Sequence, residues 1–316
     1  MRAMVLPRWG GPELFEEREV ERPEPGPGEV GIRVVASGTN PVEAKVRKDG
    51  YRAGVEPPIV LGYDGAGVVE RVGPGVEELA EGDEVWFTPP VGSPHGTYAE
   101  YTVVRADIVA RRPDALSFVE AAAVPLAGGT AWEAVVRRLG VRVGETVLIH
   151  GAAGGVGSFA VQYAKAAGAR VLASASPKNH DLLRELGADV AIDYRTQDAA
   201  EVALEQTDGR GADAVFEVEG EELVARVLAG VRPFGRIACI LPPSGDLTAL
   251  YRKNVTLHGV MLTRERRRLD EMRPLFERGQ ARPVVDEVLP LDEVAEAHRR
   301  LDTRHGRGKV VLEVGG

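Results

Sequence analysis

One cysteine, Cys239, stands in 316 residues, so no disulfide can form within the chain and no zinc cluster can be built on cysteine. No apolar run approaches the roughly 18 residues that a membrane-spanning helix needs. The first residues, MRAMVLPRWGGPE, hold no apolar core of signal-peptide length. A cytoplasmic location with no membrane partner is therefore expected. Excess positive charge is missing too: the net charge of −9 argues against a nucleic-acid partner. No low-complexity tract and no repeat of solenoid period is present. What is there is ordinary for a globular protein, 44% hydrophobic and 28% charged, with length enough for two domains.

One stretch organises the rest. Thr146 to His150 (TVLIH) reads as a buried parallel strand. Small residues follow (GAAGGVG), and from Val156 apolar side chains recur at Phe159, Ala160, Tyr163 and Ala164, one face of a helix. A strand turning through glycine into a helix points free N–H groups and the positive end of the helix dipole at one spot, which attracts a phosphate. The turn is a dinucleotide fingerprint with alanine in the first place: Ala152-x-Gly154-x-x-Gly157, with Ala153, Gly155 and Val156 between. Gly154 lets a pyrophosphate approach the backbone, and Gly157 lets the helix sit close to the strand.

Residues 1 to about 120 read as short strands punctuated by proline and glycine, the pattern of a distorted antiparallel barrel. Asn40–Lys48 interrupts them as a helical turn with Pro41 at its first position. Ser117-x-x-Glu120 is a capping box ahead of a short Ala-rich helix that Pro125 interrupts. A second helix is predicted over Thr130–Leu139, ending at Gly140, with Thr130 as a sensible cap. From Glu145 strand and helix alternate, which means a doubly wound parallel sheet. VTLHGVM, around Val255–Met261, is expected to be the sheet edge and a surface for a homodimer. The tail from Leu269 carries helix, strand, helix and strand, and is expected to return to the first domain.

The chain resembles the medium-chain dehydrogenase/reductase superfamily, and within it the zinc-free quinone oxidoreductases related to zeta-crystallin. The resemblance covers nearly the full length and rests on GTNPVEAKVRKDGY (38–51), LGYDGAGVVERVGPGV (61–76), GTYAEY (96–101), GGTAWEAV (128–135), VLIHGAAGGVG (147–157), LGADVAIDYR (186–195) and GRGKVVLEV (306–314). It implies an α/β protein: a GroES-like distorted β-barrel catalytic domain over 1–122, a Rossmann dinucleotide-binding domain over 123–263, and a return segment over 264–316 completing the first. The active site then lies in the cleft between the two domains.

Zinc-dependent members place a cysteine where this chain has Asn40 and a His-Glu pair where it has Tyr63-Asp64. Their other cysteine falls near Leu126–Gly129, which offers no ligand. Three Cys, His or carboxylate ligands are needed and at most one survives, so a zinc-free site is expected. The six histidines (His95, His150, His180, His258, His298, His305) show no metal-ligand spacing and read as structural or surface residues.

Without a Lewis acid, a site suits acceptors that need little polarisation, such as quinones and conjugated enones. By resemblance, Asn40 and Tyr51 line the pocket, where amide and phenol can donate to a developing oxyanion. Asp64 stands beside them as a third site residue, or as one that holds its loop by hydrogen bonds to backbone. Thr130 matches a family position near a nicotinamide, and Leu241, after the fifth strand, is expected to place backbone against it. Lys309 follows a Gly-Lys pattern and is expected at the surface, capping the last strand.

Charge argues the cofactor. An NAD site puts an acid about 20 residues beyond the glycine turn; here Ser174 and Ser176 stand there, followed by Lys178. Removing the acid relieves repulsion against a 2′-phosphate and a lysine attracts it. Tyr194 matches a family position on the same phosphate, beside Arg195. NADPH is the expected cofactor, and the expected activity is hydride transfer to quinones or α,β-unsaturated carbonyls. The alternatives are an enoyl-thioester (CoA or ACP) reductase, or a nucleotide-binding protein with a structural or regulatory role.

Overall fold

The computed structural model describes residues 1–220, 222–303 and 306–315. His305 lies outside the described residues. The chain divides into two units. One holds Met1–Leu126, Thr263–Gly279 and Pro283–Gly316, and the other Ala127–Leu262 with Gln280–Arg282.

The first unit is built on strands β1 (Arg2–Leu6), β2 (Glu16–Glu19), β3 (Glu29–Gly38), β4 (Ile59–Val60), β5 (Gly65–Val72), β6 (Glu84–Phe87), β7 (Tyr101–Arg105) and β8 (Val109–Arg111). Helix α1 (Pro41–Asp49) leaves the end of β3, and α2 (Phe118–Ala122) opens on the Ser117/Glu120 capping box, both of whose bonds form. Helix α3 (Pro125–Trp132) follows and crosses into the second unit.

Here the structure corrects an expectation. The Ala-rich helix does stop ahead of Pro125, at Ala122, but the second helix begins at Pro125 rather than at Thr130, because a proline's missing N–H is harmless in a first turn. The helix runs on as a π-type turn over Glu133–Arg138, so Thr130 sits mid-helix rather than at a helix start.

The second unit continues as β9 (Thr146–Ile149), α4 (Gly155–Ala166), β10 (Arg170–Ala175), α5 (His180–Glu185), β11 (Val190–Asp193), α6 (Ala199–Glu205), β12 (Ala212–Glu217), α7 (Leu223–Val227), β13 (Val231–Cys239), α8 (Thr248–Lys253) and β14 (Thr256–Gly259). Its sheet is parallel throughout, in the order β11-β10-β9-β12-β13-β14. That is the doubly wound arrangement whose order reverses beside its first strand, where such folds bind nucleotides. Leu148, Leu172, Val215 and Ile237 fill the core, all fully buried. Strand β14 forms one edge, as expected.

The tail returns to the first unit as α9 (Arg266–Glu277), β15 (Val285–Pro290), α10 (Val294–Thr303) and β16 (Lys309–Glu313). Strand β16 enters the barrel sheet between β15 and β3. Buried Arg47 of α1 ties α10 down, donating from Nε to His298 Nδ1 at 3.1 Å and from Nη2 to Asp302 at 2.6 Å. Burial, then the Arg47 charge, pushes His298 down to about 3, so it is a neutral structural histidine.

Candidate functional site

Two sites take shape, one in each unit. In the first, the register of the sheet does the assembling. β16 runs antiparallel to β3 with Val311 opposite Gly38, so the same register continued by two residues sets Lys309 opposite Asn40. β5 runs antiparallel to β3 from the other side with Gly65 opposite Ser37, which brings Asp64 to the same end.

All of the resulting cluster is buried: Asn40, Glu43, Asp64 and Lys309 are each no more than 5% exposed. Lys309 Nζ donates to Thr39 O at 2.6 Å, to Asp64 Oδ2 at 3.2 Å and to Asn40 Oδ1, which uses all three of its hydrogens. The expectation of a surface cap is overturned. The β3–β16 pairing turns this lysine inward, against a carboxylate that needs a cation.

Asp64 holds more than Lys309. Its Oδ1 accepts the N–H of Leu126 at 2.7 Å, in the first turn of α3, where a carboxylate satisfies a helix donor and complements the dipole. Burial pushes its carboxyl up, and Lys309, Asn40 and the Leu126 N–H pull it back only in part.

Asn40 corrects a second expectation. Its Nδ2 donates to Glu43 Oε1 at 3.2 Å and to Asp64 Oδ2 at 3.0 Å, so both amide hydrogens are already spent on carboxylates. The amide organises the cluster and has no hydrogen left for an oxyanion.

Glu43 was missed by sequence reasoning. It is fully buried, its Oε1 accepts from Asn40 and from the N–H of Tyr63 at 3.0 Å, and its Oε2 has no partner among the described residues. Burial pushes it up to about 7, with Lys309 opposing and Asp64 reinforcing the shift. Tyr51 lies beyond the far end of α1 from Asn40, 40% exposed, its ring flanked by Lys45 and Arg52.

The second site is the glycine turn. Gly154 caps α4 in extended conformation, and the first N–H groups of that helix lack intrahelical partners. A Cβ on Gly154 would meet only Gly151 O, at 3.5 Å, so the backbone is open to close approach. A Cβ on Gly157 would fall 2.3 Å from Gly151 O and 2.7 Å from Ala152 Cα. Gly157→Ala is therefore expected to cost about 1–3 kcal/mol by overpacking and to weaken nucleotide binding with it. Urea unfolding and nucleotide titration check this; an unchanged alanine variant would contradict the close packing.

Ala152 and Ala153 are buried, and the Ala152 N–H is tied to Ser174 O at 2.9 Å. Ser174 itself is fully buried, its hydroxyl unpartnered among the described residues. Lys178 is exposed in a short turn after β10, and Tyr194, 48% exposed, follows β11. Asp193, opposite Ala175, is the nearby acid, but its carboxylate is bound by the Arg195 N–H and the Thr196 hydroxyl. Leu241 rests on Gly220, and Thr130 is buried in α3. The open turn, the helix terminus and the unpartnered hydroxyl fit a dinucleotide.

Comparison with known proteins agrees with this geometry. Residues 26–114 match the family described as alcohol dehydrogenase GroES-like domain, and residues 186–312 the one described as zinc-binding dehydrogenase. Over 96% of its length the chain is 36% identical to the quinone oxidoreductase of Pseudomonas aeruginosa, spanning 97% of that protein. The chain belongs to the medium-chain dehydrogenase/reductase superfamily.

Within the superfamily it also matches a protein of Arabidopsis thaliana named NADPH-dependent alkenal/one oxidoreductase, chloroplastic, at 35% identity over 99% of the chain and 79% of the relative. A crystal structure titled NAD-dependent alcohol dehydrogenase superposes with a TM-score of 0.92 at 38% identity, covering all of both chains. The α/β fold, a GroES-like domain with a Rossmann domain, is that of the superfamily.

The zinc of one family description does not fit this superfamily member's donor set. Asn40 Oδ1 and Asp64 Oδ2 both face the Lys309 ammonium, so a divalent cation would meet a like charge there. Among the described residues no three His, Cys, Asp or Glu side chains form a metal-ligand group.

Proposed function

We propose that this chain is an NADPH-dependent reductase that transfers hydride to quinones or α,β-unsaturated carbonyl compounds without zinc. The observation that carries the reading is the lysine in the cluster. A fixed ammonium neutralises Asp64 where zinc-dependent relatives use a metal, and all three of its hydrogens are held by the protein. Such a site offers no Lewis acid to deprotonate an alcohol, and it suits acceptors that take hydride readily.

The amides of Gly155, Val156 and Gly157 hold the cofactor diphosphate, with Gly154 admitting it. Ser174, Lys178 and Tyr194 favour the 2′-phosphate, and Thr130 and Leu241 lie toward the nicotinamide. When bound, the reduced nicotinamide supplies the hydride. Tyr51, whose hydroxyl bonds none of the described residues, is the side-chain donor left for the substrate oxygen now that Asn40 is spent. A second copy pairs along the exposed edge of β14.

The test is cofactor oxidation against ortho-quinones, para-quinones, enones and an enoyl-CoA, with and without chelator. Quinones or enones should turn over regardless of chelator, and NADPH should bind about tenfold tighter than NADH, the worth of one charge-assisted contact. Chelator-sensitive turnover overturns the zinc-free reading. Activity on the enoyl-CoA alone moves the chain to the enoyl-thioester reductases, and equal affinities remove NADPH preference.

A further inference from the structure

Hydride addition to an enone or quinone leaves an anion, and the reaction closes only when a proton arrives. The buried cluster contains a group suited to hold it. Two carboxylates, Asp64 and Glu43, share one neighbourhood, and the ammonium that bonds there, Lys309, bonds Asp64. Among the described residues Glu43 accepts from two neutral N–H groups, both on Oε1, and its buried Oε2 has no partner. Two like charges this close, away from water, do not both ionise readily. The proton belongs on the less supported carboxylate, at the atom that accepts nothing.

We propose that Glu43 is the proton store of this reductase, a neutral carboxylic acid whose Oε2 proton is drawn on after hydride transfer. This rests on the functional reading above. Hydride forms a C–H bond on the acceptor, and the displaced electron pair makes an enolate or phenolate. The Glu43 O–H bond then breaks as a proton passes to that anion, and the carboxylate left behind is reprotonated from water. The burial-driven shift of Glu43 to about 7 matches a group that gives and regains a proton near neutrality. Besides Lys309 and Asp64, the titratable groups that feel its charge are Tyr63 and Tyr98, phenols that burial keeps neutral, and Arg264 from the segment before α9.

Two measurements test this on the intact protein. In infrared spectra without substrate, a protonated-carboxyl carbonyl band should be present at pH 6, weaken through pH 7 and be absent in Glu43→Gln. In steady-state reduction of an enone, wild-type kcat should fall as pH rises through 7. Glu43→Gln should lose at least about tenfold at pH 6 and show no such fall, with NADPH affinity kept, while Glu43→Asp retains the pH dependence. A missing infrared band overturns the charge assignment. A band with a Glu43→Gln rate and profile like wild type overturns the proton-store role. Wild-type protein that reduces no acceptor overturns the functional reading instead, and the store with it.

Discussion

Lys309→Met is expected to destabilise the first unit by about 3–5 kcal/mol near neutral pH, the cost of removing one partner from a buried ion pair. The substitution strands the Asp64 carboxylate, which is fully buried, and leaves Thr39 O and Asn40 Oδ1 without the donor they have now. Methionine fills nearly the same space, so packing alone predicts much less. The charge argument adds a sign. Burial already holds the Asp64 carboxyl above its usual range, and losing the ammonium raises it further. A carboxyl raised in the folded state is neutral toward folding below its unfolded value and lowers stability increasingly as pH rises toward the folded value. The penalty should therefore be smaller at pH 5 than at pH 8. Asp64→Asn combined with Lys309→Met should cost less than Lys309→Met alone, because the stranded charge is gone. Chemical denaturation followed by the fluorescence of buried Trp86 reads both variants against wild type. A pH-independent loss that the double substitution deepens would reduce Lys309 to a packing residue.

Residues close in sequence announced themselves. The strand, glycine turn and helix over Thr146–Ala166 and the Ser117/Glu120 box are local patterns, and each appears where it was expected. The alternation after them announces a doubly wound parallel sheet, while the order of its strands is read from the structure. The cluster in the first unit has no such signature. Lys309 meets Asn40 across 269 residues, and only the register of β16 on β3 brings them together. A lysine after glycine near a chain end looks like any solvated cation until its strand is seated.

Glu43 had one signal, its place in the first turn of α1 three residues after Asn40 and just after Pro41. An acid there usually complements the helix dipole at the surface. Burial, which the local pattern does not report, turns that ordinary acid into the carboxylate perturbed to about 7. Thr130 failed for the opposite reason. Its local pattern was right for a cap, but Pro125 had already begun the helix, and Asp64 satisfies that first turn from a distant loop.

Glu43 also has a thermodynamic consequence that does not depend on any substrate. Its carboxyl stands at about 7 when folded against an unperturbed 4.5. Below the unfolded value both states hold the proton and the residue is neutral toward folding. Between the two values the folded chain binds more protons than the unfolded one, so stability falls as pH rises, and above the folded value the loss is complete. A shift of this size amounts to roughly 3 kcal/mol, most of it between pH 5 and pH 8. Glu43→Gln keeps the Oε1 acceptor for Asn40 and Tyr63 but cannot ionise. The difference between variant and wild type should grow in the variant's favour by about 2–3 kcal/mol from pH 5 to pH 8. Any constant offset reports the new amide donor placed where Oε2 stood, and is separate from the slope. Titrating groups outside the buried cluster are common to both proteins and cancel in that difference, while Asp64, coupled to Glu43, adds to it. Parallel stability curves would mean that Glu43 ionises as an ordinary carboxylate, and the buried cluster would then carry its second negative charge throughout.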